Sequence, residues 1–172
     1  AEVLLAHVLK KDRTYLFTWS DKELADEQVA KFNSLLERRI KGEPIAYIVG
    51  TRDFWSLTLK TAPHTLIPRP DTETLIEWIV DLAEDNQLAN KPLQVLDLGT
   101  GTGAIALAIA KEFPNWQVTG VDLVPEAIEL AKQNQQLNNI NNVEFLQSSW
   151  FDNIKAENQF TFIVSNPPYI DE

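Results

Sequence analysis

The chain has 172 residues, no cysteine and no methionine, and its 25 acidic and 15 basic residues leave a net charge of −10. That composition excludes disulfides and thiolate metal sites, and it opposes loose electrostatic binding to nucleic acid, which needs a positive surface. No stretch approaches the ~18 uninterrupted apolar residues of a membrane span, and no signal peptide is visible.

A chain of this length can bury roughly 70% of its unfolded surface, enough for one good core and a small appendage. The two histidines, His7 and His64, lie near no other ligand type, so no zinc centre is expected. A missing methionine at position 1 reads as an incomplete chain.

In chain order, residues 1 to about 48 carry helical spacing. Val3, Leu4, His7 and Val8 make one stripe, and Val29, Phe32, Leu35, Leu36 and Ile40 another. Ser20 followed by Glu23 predicts a capping box that opens the second of these helices. The basic run Glu37-Arg38-Arg39-Ile40-Lys41 reads as a solvated helix face. Residues 1–48 are thus expected to be a small helical domain. Residues 49–70 differ: Phe54, Trp55, Leu57 and Leu59 among Thr, Ser and Lys predict a β-hairpin or linker, and Pro68-Arg69-Pro70 forces an extended segment. Asp71 is the expected N-cap of a helix carrying Leu75, Ile76, Trp78, Ile79 and Leu82.

From residue 93 the pattern turns to strands alternating with helices. Expected strands are Leu93–Leu98, Trp116–Val121, Val143–Gln147 and Phe160–Val164; expected helices are Gly103–Phe113 and Pro125–Leu137. Such alternation implies a parallel sheet covered on both faces, in a domain over 71–172. Four strands are half of a doubly wound sheet, so further C-terminal strands are expected outside this chain.

Asp97-Leu98-Gly99-Thr100-Gly101-Thr102-Gly103 follows the first of these strands and opens the next helix. Glycines there let a ligand approach the main chain closely. The second strand ends in Asp122, where a carboxylate can accept both ribose hydroxyls of a nucleoside cofactor. Gly99-x-Gly101-x-x-Ala104 also satisfies a dinucleotide spacing, so a nicotinamide cofactor stays open beside S-adenosylmethionine. Trp150, after the third strand, would either flank an adenine ring or fill the core beneath the loop.

The fourth strand ends in Ser165-Asn166-Pro167-Pro168-Tyr169. Two prolines end a ladder and leave bare carbonyls. With the Asn166 side-chain oxygen and the Tyr169 ring, they suit a planar –NH2 group: acceptors for two hydrogens and a face to stack on. A proline-rich turn is the plain alternative.

Taken together, Phe54-Trp55, Leu66-Ile67-Pro68-Arg69-Pro70-Asp71-Thr72-Glu73, Asp97 to Gly103, Asp122, Trp150-Phe151 and Asn166 to Tyr169 resemble the release factor glutamine methyltransferases. The resemblance implies a Rossmann-like α/β methyltransferase sheet, doubly wound, behind a helical N-terminal domain that recognises the substrate. It implies methyl transfer from S-adenosyl-L-methionine to the side-chain amide nitrogen of the glutamine in the Gly-Gly-Gln motif of peptide chain release factors. Asp97, Gly99, Thr100, Gly101, Thr102, Gly103, Asp122, Trp150 and Asn166 would line the cofactor site. Asn166, Pro167, Pro168 and Tyr169 would hold the glutamine, with Asn166, Pro167 and Tyr169 carrying the catalysis. One departure is Ser149, where many members have an aspartate. The expected setting is cytoplasmic, monomeric and without a membrane. The competing readings are an adenine or guanine amino-group methyltransferase acting on DNA or RNA, a nicotinamide oxidoreductase, and a non-catalytic cofactor-binding module.

Overall fold

Helical spacing in the first fifty residues becomes four helices, α1 (Glu2–Leu9), α2 (Arg13–Thr18), α3 (Asp26–Ile40) and α4 (Ile45–Val49). The computed structural model describes residues 1–155 and 159–167, and the chain divides into two compact units, Ala1–Gly50 and Thr51–Glu172. In the first unit, Leu4 and Val8 sit one turn apart on α1 and are buried. Asp12 caps α2 by accepting the Tyr15 N–H at 2.8 Å.

The expected Ser20–Glu23 capping box does not form. Helix α3 starts five residues later, with Ala25 at the N-cap and the Gln28 side-chain oxygen accepting the Ala25 N–H at 3.0 Å. Gln28 offers the same reach-back closer to the apolar stripe, and Asp26 and Glu27 place acids in the first turn, where the helix dipole favours them. The basic run is exposed. Its Arg38 pairs with Glu43 in a two-pronged contact that raises the arginine pKa and lowers the glutamate's, and Arg39 donates to the Glu43 carbonyl.

The second unit opens with an antiparallel hairpin, β1 (Thr51–Phe54) and β2 (Leu57–Lys60). Phe54, Leu57 and Leu59 are buried in the main core of this unit, so the hairpin belongs to it and is no separate linker. Pro70 then starts a tight 3-10 turn, Pro70–Thr72, with an extended Arg69 before it. Asp71 therefore lies inside the turn instead of capping, and helix α5 (Glu73–Asp85) begins two residues beyond. It buries Ile76, Ile79 and Ala83 on one face and leaves Trp78 and Leu82 exposed.

The sheet follows: β3 (Gln94–Leu98), α6 (Ala104–Glu112), β4 (Gln117–Asp122), α7 (Pro125–Leu137), β5 (Val143–Gln147) and β6 (Phe162–Ser165). All pairings are parallel, in the order β5-β4-β3-β6. Strand β3 is buried on both faces: Val95 joins the larger core with α6, while Leu96 and Leu98 join a smaller one with Val121. Helix α6 buries every residue from Ala104 to Ala110, its alanines allowing close approach to the strands. Connections leave β3 toward β4 on one side and return to β6 on the other. The carboxyl ends of β3 and β6 therefore flank a topological switch point, where open parallel sheets place their ligands.

The apolar run Phe160, Phe162, Ile163, Val164 reads as a buried strand. Among the described residues it is an edge strand: Val164 is buried but Ile163 is 54% exposed. An apolar run alone does not say whether one face or both are covered.

Candidate functional site

The glycine loop is built from its own backbone. Gly99 and Thr100 both donate N–H to the Val121 carbonyl at 2.9 Å, and Gly103 donates to the Thr100 carbonyl at 2.8 Å. The Gly101 N–H goes to Asp122 Oδ2 at 2.9 Å, and Asp122 Oδ1 accepts the Val124 N–H at 3.0 Å. Four of the loop's amides are thus used inside the protein. A pyrophosphate needs such amides free, so this loop is a poor cradle for a dinucleotide. Asp122 keeps the second lone pair of each oxygen for hydroxyl donors.

Asp97 lies fully buried on the core face of β3. Its Oδ2 accepts the Thr100 hydroxyl at 2.6 Å, while Oδ1 has no hydrogen-bond partner. Burial pushes its pKa up to about 6, against the pull of the Thr100 hydroxyl and the Ala106 amide; the nearby Asp122 charge adds to the rise. An orphaned, desolvated carboxylate oxygen calls for a cationic donor. The amino group of S-adenosylmethionine fits that need and a phosphate does not.

Two glycines give the loop its room. Gly103 has φ +81°, and a Cβ there would come within 2.9 Å of Phe145 Cζ. Gly120 stands opposite Asp97 in the β3–β4 register, and a Cβ there would meet Thr100 Oγ1 at 2.8 Å and Phe145 at 2.6 Å. The missing side chain of Gly120 is what lets the Thr100 hydroxyl reach Asp97. Sequence reading passed over it, although a glycine inside a strand signals a close approach.

Across the switch point, Ser165 Oγ donates to the Leu98 carbonyl at 2.9 Å and fixes the end of β6 against the end of β3. Asn166 follows, half-buried, and its Nδ2 donates to Thr72 Oγ1 at 3.0 Å. A narrow cleft of about 50 Å³ runs between Gly99–Thr102, Ala104 and Ile105 on one side and Leu66–Arg69, Thr72 and Asn166 on the other. The glycine loop and Asn166 thereby face one space. Pro167 comes next and is exposed. Pro168 and Tyr169 lie outside the described residues.

Trp150 is not core. It is 58% exposed at the carboxyl end of β5, with φ +47°, and it is not among the residues of that cleft. Its conformation is held by Ser148, whose hydroxyl donates to the Trp150 carbonyl and accepts the Asn153 N–H, both at 3.0 Å. Ser149 is exposed.

Residues 1–50 match the family described as the PrmC N-terminal domain, and residues 89–169 match a methyltransferase domain. The release factor glutamine methyltransferase of Aliivibrio fischeri is 60% identical over 99% of this chain, that of Vibrio cholerae 56% over all of it, and that of Escherichia coli 50% over all of it. Over nearly its whole length the chain is similar to release factor glutamine methyltransferases. It spans 58%, 58% and 60% of the lengths of those three relatives.

Among solved structures, the N-terminal domain of human METTL16 in complex with SAH has the same fold. It gives a TM-score of 0.56 at 23% identity, covering 69% of this chain and 49% of that one. The human methyltransferase 10 domain containing protein gives 0.54 at 21% identity, covering 69% and 57%. The nicotinamide reading of the glycine spacing is set aside by the methyltransferase match and by the occupied loop amides. The base-amine alternative finds no support among the relatives.

The structure gives the Pro68–Glu73 segment a physical meaning that its sequence alone did not. It walls the cleft through Pro68, Arg69 and Thr72. Glu73 Oε1 also accepts the Trp55 N–H at 2.7 Å, so the Phe54-Trp55 pair and this segment are one assembly. No helix among the described residues is long and apolar enough to cross a membrane, and no three His, Cys, Asp or Glu side chains among them converge on a metal site.

Proposed function

We propose that this chain carries the donor site and the substrate acceptor of an enzyme that methylates the side-chain amide nitrogen of a glutamine, the one in the Gly-Gly-Gln motif of peptide release factors. One observation carries the reading: the glycine loop and Asn166 line the same cleft.

S-adenosylmethionine, when bound, supplies a methyl group on a positively charged sulfur, already activated for displacement. Asp97 and the Gly99–Gly103 loop would hold its amino acid portion, Asp122 its ribose hydroxyls, and Trp150 one face of its adenine. The remaining task falls on the substrate nitrogen. An amide lone pair is delocalised into its carbonyl and is a poor nucleophile. The Asn166 side-chain oxygen and the Pro167 main-chain carbonyl would accept the two amide hydrogens. Holding both hydrogens aims the nitrogen and stabilises positive charge building on it. Tyr169 would stack on the amide plane, with Pro168 shaping the same turn. No strong base is needed before attack, because the nitrogen becomes acidic only after it gains the methyl group. The partner would be the release factor itself, met in the cytoplasm by a monomeric enzyme.

The test is transfer of labelled methyl from S-adenosylmethionine to a release factor by the full-length protein. Label should appear in the release factor and be lost when its Gly-Gly-Gln glutamine is replaced. Asn166→Ala should lower turnover about 100-fold or more with cofactor affinity by calorimetry little changed. Near-normal turnover in that variant, or label in nucleic acid in place of the release factor, overturns the reading.

A further inference from the structure

Thr72 stands within the Pro68–Glu73 segment, yet no role follows for it from sequence spacing. In the structure its hydroxyl oxygen accepts a hydrogen bond from Asn166 Nδ2 at 3.0 Å, across 94 positions of chain. Both residues line the narrow cleft beside the glycine loop. Both also line an adjoining cavity of about 360 Å³, with Arg69, Leu75 and Trp78.

Thr72 is firmly placed. Its own N–H donates to the Arg69 carbonyl at 3.0 Å and closes the 3-10 turn. Pro70 fixes the backbone at the start of that turn. The next side chain, Glu73, receives the Trp55 N–H at 2.7 Å. The hydroxyl therefore sits at a fixed point facing Asn166 and does not ride on a loose loop.

A carboxamide has an acceptor at one end and donors at the other, and the two ends have nearly the same shape. The reading of Asn166 given above needs Oδ1 toward the substrate amide. The flipped side chain would set its own N–H groups against those of the substrate. In the structure Thr72 Oγ1 accepts from Nδ2 on the far side of the group, and this setting leaves Oδ1 for the substrate.

We propose that Thr72 is a positioning residue that anchors the Asn166 carboxamide by its Nδ2, so that the Pro68–Glu73 segment holds Oδ1 in place for an –NH2 substrate. This inference rests on the proposed role of Asn166.

The experiment is a double-mutant cycle on the full-length protein, with release factor and S-adenosylmethionine as substrates, at a temperature where circular dichroism shows all variants folded. Thr72→Val replaces the hydroxyl by a methyl group of similar size, and Thr72→Ser keeps the hydroxyl. Thr72→Val should lower kcat about 10-fold, the loss expected from one hydrogen bond. The KM for S-adenosylmethionine should stay within about twofold, and Thr72→Ser should restore kcat to within about twofold of the parent. In the Asn166→Ala background, Thr72→Val should cost nothing further.

A Thr72→Val variant with unchanged kcat, an equal loss with and without Asn166, or a Thr72→Ser variant as weak as Thr72→Val overturns the inference. If Asn166→Ala impairs turnover and Thr72→Val does not, only the role of Thr72 falls. If Asn166→Ala itself turns over normally, the reading of Asn166 falls first and takes this one with it.

Discussion

Asp97 ties stability to pH through its burial. It has no exposed surface and one oxygen without a partner, so its charged form is costly, and burial raises its pKa from 3.8 to about 6. Between those values the unfolded chain has released the Asp97 proton while the folded one keeps it. The folded state binds more protons there, so stability falls as pH rises through that window, by about 3 kcal/mol in total. Below it the contribution is intact, and above it no more is lost. Asp97→Asn removes the penalty. In urea unfolding, the stability of the variant minus that of the parent should grow by about 2 kcal/mol between pH 4 and 7. A cationic amino group at Asp97 would favour the charged form, so the parent's affinity for S-adenosylmethionine should rise with pH through about 6. The variant should bind weakly with a flatter profile. A flat stability difference, or equal binding by the two proteins, counts against this account.

At the scale of elements, helix α7 supports the glycine loop and the hairpin at once. Asn134 is fully buried. Its Oδ1 accepts the Lys60 N–H at 2.7 Å, and its Nδ2 donates to the Lys60 carbonyl at 3.1 Å and the Thr102 carbonyl at 2.9 Å. One turn later, Asn138 meets the N–H and carbonyl of Thr58 in the same way. Two carboxamides thus take the place of a neighbouring strand along β2 and cover an edge that would otherwise stay unpaired. Asn134→Leu keeps the bulk but strands three backbone groups. It should cost about 3 kcal/mol or more and lower the melting temperature by roughly 6 to 12 °C. Because Thr102 is one of the three, cofactor affinity should weaken too, and calorimetry on a variant still folded at low temperature would detect it. Unchanged melting and binding would show that α7 needs no such anchor.

These elements also show what a sequence can reveal and what it conceals. Val143–Gln147 and Pro125–Leu137 are found at their expected bounds, because strand alternation and helical spacing are local. The loop from Gly99 to Gly103 is legible because its positive-φ turns need glycine. The Asn166–Thr72 and Asn134–Lys60 bonds are not legible, since any exposed Asn or Thr could make them and only the tertiary fold chooses. The cap of α3 was missed because Ser-x-x-Glu and the reach-back of Gln28 are equivalent locally, and the position of the apolar stripe decides between them.

At the scale of the molecule, the division at Gly50 separates a helical unit from the unit that holds the cleft. The cleft residues named above all belong to the second unit. If the cleft grips one side-chain amide as proposed, it offers only a few contacts, too few to choose one protein among many. The first unit has its own cavity of about 390 Å³, whose lining includes Leu5, Leu9, Tyr15, Leu16 and Trp19, and Phe17 and Trp19 are largely exposed. That surface is suited to protein contact, where aromatic residues are enriched. If it recognises the release factor, removing residues 1–50 from the full-length protein should raise the KM for intact release factor about 10-fold or more, while cofactor affinity stays put. A short Gly-Gly-Gln peptide, which lacks the rest of the release factor surface, should be methylated equally well with and without the unit. The peptide separates recognition from folding: if the shortened protein loses activity on peptide and release factor alike, the first unit is a structural support and not a reader of the substrate.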